Sequence, residues 1–244
     1  MKKILIIPDV HGRTFWKEAI EKNDYEKVIF LGDYLDPYKK IPVEDTFNNF
    51  KEIVSLKENN PDKVILLIGN HDRHYMKECK SVWSRYSREM REKLDSSNFE
   101  FDDKRFKIAH EETINGRRFV FSHAGIHKKW LKELCGFEDI DIDQLNLLFF
   151  DNKNGFDFDF YISFYRGGYY DYGSIIWADI REYALGTEFE GVTQIFGHTQ
   201  LYDHPVNLDN EFYCLDVRRP FYINENGEVC EMDGTIIKNT KVNV

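Results

Sequence analysis

The sequence predicts an α/β protein made of two mixed β-sheets packed face to face, with helices outside. Two observations carry this expectation. In the first half, short apolar runs alternate with longer amphipathic stretches, the rhythm of strand–helix–strand units that build a parallel sheet. From Arg105 onward, apolar runs follow one another across turn residues such as Asn-Gly, which favour hairpins. Polar residues also cluster where the apolar runs stop, and in a parallel sheet those ends form a ligand-binding edge.

Residues 4–7 are a continuous apolar run, as a strand covered on both faces should be. Thr14 is placed to cap a short helix through Ala19 and Ile20. Residues 28–31 read as the second strand. Residues 43–57 read as a helix whose apolar face carries Phe47, Phe50, Ile53, Val54 and Leu56. Pro61-Asp62 breaks the chain before a third strand at 64–68. The charged stretch 75–94 reads as helical, with Met76, Val82, Trp83 and Met90 as its apolar contacts. Asn115-Gly116 is a tight turn into a strand at 118–122. Later strands are expected at 193–196 and 212–217, with a further turn at Asn226-Gly227. No repeat or linker composition interrupts the chain, so residues 1–244 read as one domain. Aromatic residues crowd the stretch 147–172, among them Phe149, Phe156, Phe158, Phe164 and Tyr169. A hydrophobic satellite of the core is the expected role, ahead of a wall beside the site where a ring could stack on a nucleobase.

Composition narrows the function. A chain of 244 residues, 42% hydrophobic and 16% aromatic, has the means for a substantial core and is not a disordered one. A net charge of -10 argues against long nucleic acids, whose binders show a basic face. An anionic substrate stays compatible, because bound divalent cations reverse the local field. Cys79, Cys135, Cys214 and Cys230 are widely spaced with no Cys-x-x-Cys pair, which suits inert thiols in a reducing compartment. The opening apolar run is shorter than a secretory segment of about 7–15 residues. No run approaches the roughly 20 of a membrane span. The expectation is a cytoplasmic protein with no membrane partner.

Five polar clusters stand just after apolar runs: Asp9-Val10-His11, Gly32-Asp33-Tyr34-Leu35-Asp36, Gly69-Asn70-His71-Asp72, Ser122-His123-Ala124-Gly125 and Gly197-His198-Thr199. Clustered carboxylates cost several kcal/mol each unless paired or metallated, so three aspartate-bearing clusters beside two histidine-bearing ones point to cations. Asp9 and His11, two apart in an extended segment, would leave the same side of the chain and grip one ion. Asp33 could bridge to a second, completed by Asn70, His123 and His198. The donor set suits two divalent ions, manganese foremost, with Fe, Zn, Ni or Co as alternatives. His71 directly follows a ligand asparagine and would point elsewhere. Hydrogen-bonded to Asp36, it could stay protonated and donate to a leaving oxygen.

This ordered set resembles the calcineurin-like metallophosphoesterase superfamily, whose motifs run D-x-H, G-D-x-x-D, G-N-H-[DE], a histidine and G-H. Within it, Gly69-Asn70-His71-Asp72, Ser122-His123-Ala124-Gly125-Ile126 and Trp177-Ala178-Asp179 look most like the phosphoprotein phosphatase and diadenosine-tetraphosphate hydrolase branch. The resemblance spans residues 9–199 and implies a four-layer α/β/β/α sandwich with a binuclear centre. It implies that Asp9, His11 and Asp33 hold the first metal, and that Asp33, Asn70, His123 and His198 hold the second. His71 and Asp36 would be the general acid and its orienting carboxylate.

Two departures bear on the substrate. The phosphatase branch carries a phosphate-binding arginine directly after the second aspartate, whereas Pro37-Tyr38 follows Asp36 here. Arg73 and Arg181, each beside a motif, are the expected replacements, with Arg13 and Arg166 as further choices. Gln200 stands where many members carry a second histidine. The expected reaction is hydrolysis of a phosphate monoester or anhydride by metal-activated hydroxide. The substrate would be a phosphorylated small molecule, a nucleotide or a phosphoprotein. A phosphodiesterase on small nucleotides, or a binding scaffold without catalysis, is the alternative.

Overall fold

The computed structural model describes residues 3–79, 81–151, 158–183 and 188–240. The first half runs β1 (Ile4–Ile7), α1 (Phe15–Lys22), β2 (Lys27–Phe30), α2 (Val43–Asn59), β3 (Val64–Leu67), α3 (Asn70–Arg73), α4 (Arg88–Ser96) and β4 (Phe106–Lys107). Then come β5 (Ala109–Ile114), β6 (Arg117–Ser122), α5 (Lys128–Trp130) with a wider turn to Cys135, and α6 (Ile142–Phe150). The chain closes with α7 (Ile180–Tyr183), β7 (Val192–Phe196), β8 (Val206–Leu208), β9 (Phe212–Cys214), β10 (Phe221–Ile223) and β11 (Val229–Glu231).

The strands form two mixed sheets, ordered β11-β10-β1-β2-β3-β4 and β5-β6-β7-β9-β8. β1, β2, β3 and β4 are parallel, as are β6, β7 and β9. The alternation of side chains along each strand sorts the core into layers. Ile4 and Ile6 of β1 cluster with Ile29, Phe119, Phe121 and Ile195, between the sheets. Leu5 and Ile7 instead join Trp16 of α1 and Phe50 and Ile53 of α2. On the far side, Tyr183 of α7 packs on Phe196 and Phe212, ring centroids 5.1 and 4.8 Å apart. Two mixed sheets flanked by helices are thus the architecture the motifs implied.

Local expectations fare unevenly. The Asn115-Gly116 turn joins β5 to β6 with φ of 49° and 76°, the paired left-handed geometry that matches strand twist. Thr14 precedes α1 without a side-chain capping bond. The helix expected over 75–94 is confined to α4. Arg85, at φ 69°, interrupts it, and Ser87 starts α4 by accepting the Met90 N–H at 3.2 Å. The aromatic stretch divides: Phe149 and Phe158 are core, whereas Phe164 and Tyr169 are 71% and 97% exposed. Phe156 lies outside the described residues. Among the described residues no helix is long and apolar enough to cross a membrane.

Candidate metal centre and active site

The loops after β1, β2, β3, β6 and β7 bring the five clusters together. Asp9 and His11 do so by a different route from the extended one expected. His11 is left-handed, φ 46°, and this bend places its Nε2 3.9 Å from Asp9 Oδ2 and 3.4 Å from Asp33 Oδ2. Each aspartate gives one oxygen to the backbone and keeps the other for the centre. Asp9 Oδ1 accepts the His198 N–H at 3.0 Å, and Asp33 Oδ1 accepts the His71 N–H at 2.9 Å. Glycine is required opposite both. A Cβ on Gly197 would stand 2.1 Å from Asp9 Oδ1, and one on Gly69 2.1 Å from Asp33 Oδ1. Asp72 ties the second and third clusters by accepting the N–H groups of Asp33, Tyr34 and Gly69.

The imidazoles are oriented from behind. His11 Nδ1 donates to Leu35 O at 3.0 Å, and His123 Nδ1 donates to Leu31 O at 2.8 Å. Their Nε2 lone pairs therefore face inward. His123 Nε2 lies 3.0 Å from Asn70 Oδ1, 3.1 Å from His198 Nδ1 and 3.5 Å from Asp33 Oδ2. Burial, with the charge of His71, holds His11 well below its ordinary pKa; burial, with Arg166, does the same for His198. Neutral imidazole is the ligating form. Burial, with Asp9 nearby, pushes Asp33 up to about 8. Lone pairs facing lone pairs within hydrogen-bond distance fit a cation between them. Asp9, His11 and Asp33 form one donor group; Asp33, His123 and His198 form another.

Asp36 serves a third assembly. Its Oδ2 accepts from His71 Nδ1 at 3.0 Å and His74 Nε2 at 2.6 Å, while Oδ1 accepts from Tyr75 Oη at 2.5 Å. Burial favours a neutral carboxyl, but these donors bring Asp36 below the usual carboxylate range. Burial opposes a charge on His71 as well, yet Asp33 and Asp36 outweigh it and raise its pKa. Burial wins at His74, which is held below its ordinary value. His74 thus donates through Nε2 and accepts the Trp83 N–H at Nδ1, 3.4 Å away. On one carboxylate, the pKa of His71 is raised and that of His74 lowered.

The four arginines near the motifs are held in different ways. Arg73 is buried and committed to Asp159 through Nε and Nη2, 3.0 to 3.2 Å, with its guanidinium over Phe149. Arg181 pairs with Asp179 at 2.7 and 3.0 Å and lies over Tyr165. Arg13 and Arg166 touch the centre's own loops instead. Arg13 donates to Asp9 O at 2.6 Å, and Arg166 donates to His198 O at 2.8 Å. Both arginines preferred from the sequence, Arg73 and Arg181, thus sit within ion pairs.

Four further residues stand here without having been singled out. His74 and Tyr75 extend the third cluster directly. Asp216 follows the buried end of β9, with one oxygen buried and unpartnered; burial, with Asp9, raises its pKa well above the ordinary value. Its position after an apolar run repeats the signature of the other clusters. Tyr38 meets the His11 ring edge-on at 4.5 Å.

The comparisons with known proteins agree with this geometry. The model of the calcineurin-like phosphoesterase family matches residues 2–202. The fold is similar to a cold-active protein-tyrosine phosphatase of the psychrophile Shewanella sp., with a TM-score of 0.58 at 17% identity, covering 98% of this chain and 81% of that one. It is also similar to a protein serine/threonine phosphatase from Saccharomyces cerevisiae, with a TM-score of 0.52 at 12% identity, covering 96% and 78%. No curated protein matches the sequence. A family match over most of the chain, on two sheets whose strand ends gather buried aspartates and histidines, leads to one conclusion: the chain belongs to the calcineurin-like phosphoesterase family.

Proposed function

We propose that the protein is a binuclear metal-dependent phosphoesterase that hydrolyses phosphate monoesters or phosphoanhydrides. The observation that carries this reading is Asp33, which belongs to both donor groups. Asp9, His11 and Asp33 would hold one divalent cation; Asp33, Asn70, His123 and His198 would hold the other. Bound there, manganese or another first-row ion supplies Lewis acidity that activates water and offsets charge on a phosphoryl group.

The chain's own residues supply orientation and the proton. Asp36 holds His71 through Nδ1, which leaves Nε2 as the proton-bearing atom directed to a leaving oxygen. Asp33 and Asp36 keep that proton in place electrostatically. Arg13 and Arg166 add fixed positive charge beside the Asp9 and His198 loops, suited to an anionic substrate.

Metal analysis and para-nitrophenyl phosphate hydrolysis test the reading together. Wild-type protein is expected to carry two metal equivalents and to require them for turnover. Asp33→Asn and His123→Ala should stay folded by circular dichroism yet lose more than the roughly 10–100-fold that loss of a supporting residue costs at a metal site. Full activity in either variant would sink the proposal. Comparison with bis-para-nitrophenyl phosphate separates monoesterase from diesterase activity.

A further inference from the structure

The loop between α3 and α4 is pinned on both sides to the Asp36 assembly. Before Arg85, Trp83 stacks on His74, ring centroids 5.8 Å apart at 17°. After it, Tyr86 stacks on Tyr75 at 5.2 Å and 22°, and the Ser87 N–H donates to Tyr75 Oη at 2.9 Å. Between these anchors Arg85 holds φ 69°, a conformation that a long side chain seldom adopts. Its guanidinium carbon lies 4.1 Å from the centroid of the Tyr38 ring. That ring meets His11 edge-on at 4.5 Å and lies 6.5 Å from the His71 ring. A single aromatic ring therefore separates Arg85 from a donor of the candidate centre.

Four of the arginines around the centre are engaged. Arg73 serves Asp159, Arg181 and Arg166 serve Asp179, and Arg13 serves the Asp9 carbonyl. Arg85 is exposed, and among the described residues its recorded contact is the Tyr38 ring. Stacking occupies the face of a guanidinium. Its N–H groups lie in the plane and point outward, matched to two oxygens of one phosphate. A backbone held in the left-handed region within a pinned loop is how proteins retain strain where a side chain must be presented.

We propose that Arg85, presented on the face of Tyr38, binds the terminal phosphate of the substrate, which makes this site selective for phosphomonoesters. The assignment rests on the phosphoesterase reading above. A monoester offers free oxygens both to the cations that the donor groups would hold and to the Arg85 fork. A diester has one oxygen fewer to give. Tyr38 acts as a positioning residue, setting the plane of the guanidinium.

The test is calorimetric titration of inorganic phosphate into the manganese-loaded full chain, alongside para-nitrophenyl phosphate kinetics. Arg85→Ala should weaken phosphate affinity about tenfold or more, the scale of a charged hydrogen-bonded contact. KM should rise more than kcat falls, with metal content and Tm unchanged. Arg85→Lys keeps the charge but loses the fork and should recover only part of the loss. Tyr38→Leu should resemble Arg85→Ala. Phosphate affinity within twofold of wild type in Arg85→Ala, or full recovery in Arg85→Lys, overturns this assignment alone. Wild-type protein that neither binds phosphate nor hydrolyses the ester overturns the phosphoesterase reading with it.

Discussion

His74 Nε2 donates to Asp36 Oδ2 across 2.6 Å, sharing that oxygen with His71 Nδ1. His74 therefore divides the hydrogen-bonding capacity of the carboxylate that orients His71. In His74→Asn, more of that capacity falls to His71 and raises its pKa further. The basic limb of the kcat–pH profile should shift to higher pH while metal content stays constant. An unmoved limb would restrict His74 to packing against Trp83.

The two glycines opposite the aspartates should fail differently. A Cβ at Gly69 meets the Asp33 backbone N at 2.6 Å as well as its carboxylate, whereas at Gly197 it meets only the Asp9 carboxylate closely. Overpacking against backbone costs about 1–3 kcal/mol or more. Gly69→Ala is expected to lose stability and metal together. Gly197→Ala should keep its denaturation midpoint closer to wild type while losing metal. Urea unfolding with metal analysis distinguishes them, and equal behaviour would contradict the geometry.

His71→Ala should retain metal in the two donor groups that share Asp33, since neither includes His71, whose ring is held by Asp36. General-acid help matters most for poor leaving groups and contributes typically about 10²–10⁴-fold. Alkyl phosphates should therefore slow far more than para-nitrophenyl phosphate. A uniform loss across leaving groups would remove His71 from the proton step.

Acid should destabilise the fold partly through His127. It is buried, stacks on Tyr172 at 5.2 Å and 13°, and accepts the Lys129 N–H at Nδ1. Burial lowers its pKa to about 4, against about 6.5 unfolded. The folded state thus binds fewer protons, and stability falls as pH drops from about 6.5 toward 4. The loss is on the order of 3 kcal/mol, from 1.36 kcal/mol per pKa unit. His127→Asn keeps an acceptor for Lys129 and should flatten Tm against pH across that window. Parallel curves for the two proteins would exclude His127 as the cause.

The architecture was legible because buried strands and their polar ends leave local marks. Four residues at 4–7 and the clusters after them stand out without any tertiary knowledge. The contact between Asp9 and His11 was anticipated for a wrong reason, since no residue-type rule announces that His11 turns left-handed. The ion pairs of Arg73 and Arg181 were not legible, because burial and pairing are tertiary facts. Asp159 stands 86 residues from Arg73, and nothing in either segment marks the pair. His74, Tyr75 and Asp216 were readable: the first two adjoin Asn70-His71-Asp72, and the third ends an apolar run. Arg85 was not, because its meaning comes from Tyr38 beneath it.

The Asp9 carboxylate accepts the His198 N–H, a bond that closes a loop of most of the chain. One lies on the first sheet and the other on the second, and the donor group of Asp33, His123 and His198 likewise exists only once the sheets have docked. During synthesis, a nascent chain that has not yet released His198 from the ribosome would hold half of the centre. Filling of the second donor group would then be a late event that reports completed assembly. A cation shared through Asp33 would resist separation of the sheets, so chelation should speed global unfolding more than it changes either sheet alone.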